Sequence, residues 1–186
     1  MGIFSESLDK ATQAAFTRPI PKGAPARMRF LVRVEKGSTK AVARRLGISQ
    51  RTVERYVTGQ FQHPRKDLAD RLEAEVRKEW QPRVRERARK QAATTTGIVI
   101  ETRARFGFTA APGSTDDARV RRITQHLPPE YAARLFEAET AGEADARLRD
   151  IVAEGLQEVY FKDDGRRADG LGVEFTDVDY VEMDYS

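Results

Sequence analysis

The chain has 186 residues, with 33 Lys and Arg, 29 Asp and Glu, two histidines and no cysteine. The missing thiols exclude a disulfide framework, thiol catalysis and a cysteine-ligated zinc site, and His63 with His126 alone make no histidine-rich metal centre, so no metal site is expected. No apolar run reaches membrane-spanning length, and the opening "MGIFSESLDKATQAAF" lacks the basic-then-apolar layout of a secretory signal, so the chain reads as soluble and cytoplasmic, with no membrane partner.

The two signs of charge are separated along the chain. Residues 1–96 hold 22 Lys and Arg against 10 Asp and Glu, a net +12, while residues 97–186 hold 11 against 19, a net −8. A basic half of this size attracts a phosphate backbone and binds it more weakly as salt rises. The first elements contain Phe16, Met28, Phe30 and Leu31, which predict one or two helices separated by the loop "TRPIPKGAP".

Residues 37–60, "GSTKAVARRLGISQRTVERYVTGQ", carry the clearest motif. Ser38 or Thr39 can cap a first helix that runs to Leu46, Gly47 supplies a tight turn, and Ser49 can cap a second helix to about Val57. Ala43 is small where two helices would cross, and Val42, Leu46, Ile48, Val53 and Tyr56 or Val57 supply apolar contacts. This is helix-turn-helix spacing, in which the second helix enters the major groove of DNA by its N-terminal residues. Gln50, Arg51, Thr52, Glu54 and Arg55 are left facing outward, with Arg44 and Arg45 on the first helix as further candidate DNA contacts. Arg can bond a guanine edge twice and Gln an adenine edge, so the set suits base reading.

A long basic helix is predicted next. Leu68, Leu72, Val76, Trp80, Val84 and Ala88 recur every fourth residue as one apolar seam. Arg83, Arg85, Arg87, Arg89 and Lys90 crowd the rest of its second half, and Pro82 should kink the helix or begin a new one. A first domain over 1–92 and a short linker at 93–97 follow from this reading.

Residues 98–108 then alternate. Ile98, Ile100, Thr102, Ala104, Phe106 and Phe108 share one face, and Val99, Glu101, Arg103 and Arg105 the other, which is the period of a half-buried strand. Beyond the loop at 109–117, residues 118–126 fit a returning strand, although Val120, Ile123, Thr124 and Leu127 also fit a helical stripe. "PPEYAARLFEAE" and "EADARLRDIVAEGLQEVYF" read as two helices that complete a module over 98–161. Strand, helix and helix in that order leave self-association open. Past Phe161, residues 162–186 hold three basic and eight acidic residues and read as an acidic tail, extended or partly disordered. The expected fold class is α+β and mostly helical: a helix-turn-helix domain, a long basic helix, then a β-hairpin with two helices and the acidic tail.

Taken alone, the loop "APGSTDD" is turn chemistry. Pro112-Gly113 favours a type II turn, Ser114 or Thr115 can cap, and Asp116 and Asp117 can accept backbone N–H groups. No general base is evident beside these hydroxyls.

Segment 1–82 with the helix-turn-helix stretch at its centre, together with "GIVIETRARFGFTAAPGSTDDAR" and "LPPEYAARLFEAE", closely resembles the telomere-capping terminal proteins of Streptomyces linear chromosomes and plasmids. The resemblance covers almost the whole chain, the acidic tail least. It implies a protein primer rather than an enzyme: a threonine hydroxyl becomes joined to the 5′ end of DNA and primes synthesis that fills the recessed telomere. The implied acceptor is Thr115, which keeps the family's side-chain type, with Ser114 as the alternative and Gly113, Asp116 and Asp117 as loop support. The resemblance also implies telomeric DNA, a telomere-associated single-strand-binding protein and a DNA polymerase as partners, and a location in the nucleoid at replicon ends. No cofactor is expected on this chain. Mg2+ (or Mn2+) and the deoxynucleotide would come with the polymerase. The alternative reading is a helix-turn-helix regulator of transcription with a C-terminal dimerisation module.

Overall fold

The computed structural model describes residues 2–109, 119–162 and 172–185. Among these, the chain is α+β and mostly helical, as expected. The elements run α1 (Ile3–Ala14), α2 (Ala24–Val34), α3 (Thr39–Leu46), α4 (Gln50–Val57), α5 (Lys66–Glu79), α6 (Pro82–Gln91), β1 (Ile98–Thr109), β2 (Arg119–Leu127), α7 (Pro129–Thr140), α8 (Asp145–Leu156) and β3 (Gly172–Asp184). They form two compact units, one contiguous (Thr17–Pro82) and one assembled from Met1–Phe16 and Arg83–Ser186.

In the contiguous unit, local chemistry sets the element ends. Ser38 Oγ accepts the Ala41 N–H at 3.1 Å and starts α3. Gly47 ends it in the left-handed region (φ 63°), where a side chain would be strained. Ser49 Oγ accepts the Thr52 N–H at 3.1 Å and starts α4 two residues later. Met28, Leu31, Val42, Leu46, Val53, Leu72 and Val76 are buried together, and each such side chain contributes about 1.5–3 kcal/mol relative to exposure. The Trp80 ring lies 4.9 Å from Phe30, and its Nε1 donates to the Arg18 carbonyl at 3.1 Å. The apolar seam predicted over 68–88 therefore serves this core only as far as Trp80. Gln81 turns out of the helix at φ 45°, and Pro82, which donates no N–H and is the last residue of this unit, begins α6, whose remaining residues belong to the other unit.

The second unit is a sheet of order β2-β1-β3, antiparallel throughout. Segment 119–127 is the returning strand, and Ile98 pairs with Leu127 and Phe106 with Arg119. Ile98, Ile100, Ala104 and Phe106 of β1 join Ile123 and Leu127 of β2 in a core shared with α1, α7 and α8. Gly97 admits no Cβ, because φ is 75° and the Leu127 carbonyl oxygen would lie 2.2 Å away.

Three expectations need correcting. The tail contains β3, which pairs with β1 from Val99↔Asp184 to Thr109↔Gly172, with register shifts beside Ala104 and Phe106. Val173, Phe175, Val181 and Met183 alternate with carboxylates and are buried, so the acidic residues decorate a core strand. The expected first domain, 1–92, also divides differently. Phe4, Leu8 and Ala11 of α1 bury themselves in the sheet unit, Phe4 with its ring 5.6 Å from Phe175, and α6 lies in that unit too. Finally, the linker at 93–97 is structured: Ala92–Thr96 form a wide turn closed by Gly97 N–H to the Ala92 carbonyl at 2.9 Å, with Ala92 buried.

Candidate nucleic-acid interface

The helix-turn-helix is α3, the Gly47 turn and α4, supported by α2 and α5. Val53 and Tyr56 point into the core, which turns Gln50, Arg51 and Glu54 to solvent. The outward residues are not equivalent. Gln50 Nε2 donates to Glu54 Oε1 at 2.9 Å and to Thr39 Oγ1 at 3.1 Å. Thr52 shares a hydroxyl hydrogen bond of 2.8 Å with the cap residue Ser49. The Arg55 guanidinium lies 5.2 Å over the Phe61 ring, a cation–π contact, and Phe61 packs edge-on to Tyr56. Arg51 and Arg44 are exposed and engage no described residue.

Arg45, placed by the sequence among the DNA contacts, is committed elsewhere. It lies against Glu75, reaches Glu79 at 2.8 Å and Glu35 at 3.1 Å, and so ties α3 to the end of α2 and to α5. Burial alone would lower its pKa, but the hydrogen bonds it donates to Glu79, Glu75 and Glu35 reverse this and hold it well above the ordinary arginine value. Glu75 shows the reciprocal effect. Burial would raise its pKa, yet Lys78 and Arg45 hold it below the usual carboxylate range. The reason for the correction is positional: Arg45 sits one residue round α3 from Arg44, on the side that meets α5.

The basic helix α6 also divides. Arg83, Arg87 and Lys90, at i, i+4 and i+7, are exposed along one side. Arg89 instead pairs with Glu139 at 2.5 Å and lies 5.1 Å over Phe136, and Arg85 lies 6.0 Å from the Phe16 ring. The solvent-facing basic set is thus Arg83, Arg87 and Lys90, while Arg85 and Arg89 brace their own unit.

The second candidate feature is the β1–β2 hairpin. Its far end is anchored by Phe106, fully buried, with Phe175 at 4.9 Å and Phe161 at 5.3 Å. On the opposite face Arg122 reaches Glu101 at 2.6 Å, and Tyr180 Oη donates to the same carboxylate at 2.9 Å. Hydrogen bonds from Arg122 and Tyr180 hold the Glu101 pKa low. The expected acceptors Thr115 and Ser114, and Gly113, Asp116 and Asp117, lie outside the described residues, in the segment that joins Thr109 to Arg119. The two histidines are remote from a triad role: His63 is exposed and pairs with no described acid, and His126 Nε2 donates to the Thr96 carbonyl at 2.5 Å. Among the described residues, no group of three or more His, Asp or Glu could hold a metal ion, and no helix is long and apolar enough to cross a membrane.

No family model, curated protein or solved structure matches this chain.

The geometry gives three residues a role that the sequence reading did not. Thr39 and Glu54 fix the Gln50 amide, and Phe61 braces Arg55. A Gln and a Glu four residues apart on one helix were the available signal for the first pair. For Phe61 the only hint was an aromatic residue just beyond the helix end.

Proposed function

We propose that this chain is a terminal protein of linear replicons, which caps telomeric DNA and primes end-patching synthesis through a hydroxyl of the β1–β2 loop. The observation that supports it most is the hairpin. Two antiparallel strands, locked by an aromatic anchor at Phe106, carry between them a segment with adjacent alcohols at Ser114 and Thr115. A primer needs a slim projection that can enter a polymerase, and a segment linking two paired antiparallel strands suits that need better than the lining of a pocket. The resemblance to Streptomyces terminal proteins selects Thr115, whose secondary alcohol is closer to a DNA 3′-hydroxyl than serine's primary one.

In this reading the Thr115 oxygen attacks the α-phosphorus of an incoming deoxynucleotide. The bond to the bridging oxygen breaks, pyrophosphate leaves, and the hydroxyl proton passes to solvent or to a polymerase base. An alcohol is a weak nucleophile at neutral pH, so the polymerase's paired Mg2+ or Mn2+ ions would activate it. The helix-turn-helix and the Arg83, Arg87 and Lys90 stripe would hold DNA, and a telomere-associated single-strand-binding protein would present the overhang. The protein would act in the nucleoid, at replicon ends.

Transfer of labelled dCMP to Thr115→Ala and Ser114→Ala chains tests the assignment. Thr115→Ala should abolish labelling, and Ser114→Ala should retain it. Normal labelling of the double variant would refute the site. A second reading, a transcription regulator, is favoured by the separate hydrophobic core of residues 17–82. Protein that stays on chromosome ends through hot detergent and leaves only after protease excludes it.

A further inference from the structure

Of the outward residues of α4, all but one are bound to their neighbours, and this selects a base. We infer that Arg51 is the sequence-reading residue of the helix-turn-helix and that it reads guanine in the major groove. The inference rests on the proposed DNA binding by residues 17–82.

Gln50 would ordinarily read adenine by presenting its amide nitrogen and oxygen together to one base edge. Here its nitrogen is held by both Glu54 and Thr39, so an adenine contact would require breaking two hydrogen bonds of 2.9 and 3.1 Å. Thr52 is engaged with the Ser49 cap, and Arg55 is laid over Phe61. Arg51 is exposed, sits second in α4 where recognition helices approach the bases, and meets none of these partners. A free guanidinium matches guanine O6 and N7 with two parallel donors.

The test is selection of duplexes from a pool with a randomised core by the full-length chain, followed by binding titrations on the enriched sequence. Wild type should enrich a site with a fixed guanine. Arg51→Ala should lose preference at that position by about tenfold or more, and Arg51→Lys should keep nonspecific affinity with a weakened preference, because a lysine lacks the planar two-donor fork. Replacing that guanine by 7-deazaguanine, which lacks the N7 acceptor, should weaken wild type and leave Arg51→Ala unchanged, because the contact is already gone. Gln50→Ala should leave the guanine in place. If Arg51→Ala still enriches the same guanine, or weakens all sequences equally with a salt slope smaller by about one, Arg51 is not the reader and the inference falls while DNA binding stands. If wild type enriches no sequence, sequence-specific DNA binding by residues 17–82 falls as well. Arg51 has no described contact to lose, so its variants should melt like wild type.

Discussion

The two units solve folding in opposite ways. Residues 17–82 form one contiguous stretch with 16 Lys and Arg against 7 Asp and Glu, net +9, and a core drawn from helices adjacent in sequence. The remainder holds 17 against 22, net −5, and its core joins Phe4 near one end of the chain to Phe175 and Met183 near the other. The first unit is specified by caps and turns that act over three or four residues. The second depends on contacts between segments far apart in sequence, such as Phe4 with Phe175 and β1 with β3, so its stability is sensitive to both α1 and β3.

The largest expected effect breaks this contrast directly. Removing residues 172–186 strips β3 from β1 and exposes the inner sheet face. The sheet unit should lose its cooperative transition while residues 17–82 melt as before, seen by amide exchange resolved along the chain. Phe175→Ala is the milder form and should cost about 3–5 kcal/mol in the sheet unit alone. If the contiguous unit is destabilised equally, the two are not independent.

Arg45→Ala acts on the other unit. It leaves Glu35, Glu75 and Glu79 without their shared partner and should destabilise residues 17–82 by roughly 2 kcal/mol in denaturant titration, with little loss of sequence preference on DNA. The same network sets a pH dependence. Glu75, and likewise Glu73 beside Arg27 and Arg77, titrate below the unfolded carboxylate value of about 4.3. Their stabilisation is present above that value and is lost as pH falls through the lowered folded values. Acid should therefore weaken the contiguous unit, and Arg45→Ala should flatten that dependence. The smallest effect is at the cap: Ser49→Ala removes the acceptor for the Thr52 N–H and should cost about 1 kcal/mol.

Legibility in the sequence followed the same division. The helix-turn-helix could be read to within a residue, because Ser38, Gly47 and Ser49 punctuate it locally. Strand β1 was readable from its alternation, and β2 was readable as one of two options. Strand β3 was hidden by its own carboxylates: Val173, Phe175, Val181 and Met183 hold the period, but the register shifts beside Ala104 and Phe106 interrupt it between Phe175 and Val181. The membership of α1 could not be read at all, because an amphipathic helix states which face it buries and not against what. Within the candidate interface, residue type did not separate Arg44 from Arg45 or Arg87 from Arg89. Position on the helix decided each pair, through carboxylates contributed by other elements.

The place of β3 in the chain has a consequence for synthesis. On the ribosome, residues 17–82 emerge with everything their core requires and can fold while translation continues. Helix α1 leaves earlier still yet must wait, its apolar side uncovered, until β3 arrives to close the sheet. A nascent chain would thus possess its folded helix-turn-helix unit well before β3 clamps the hairpin.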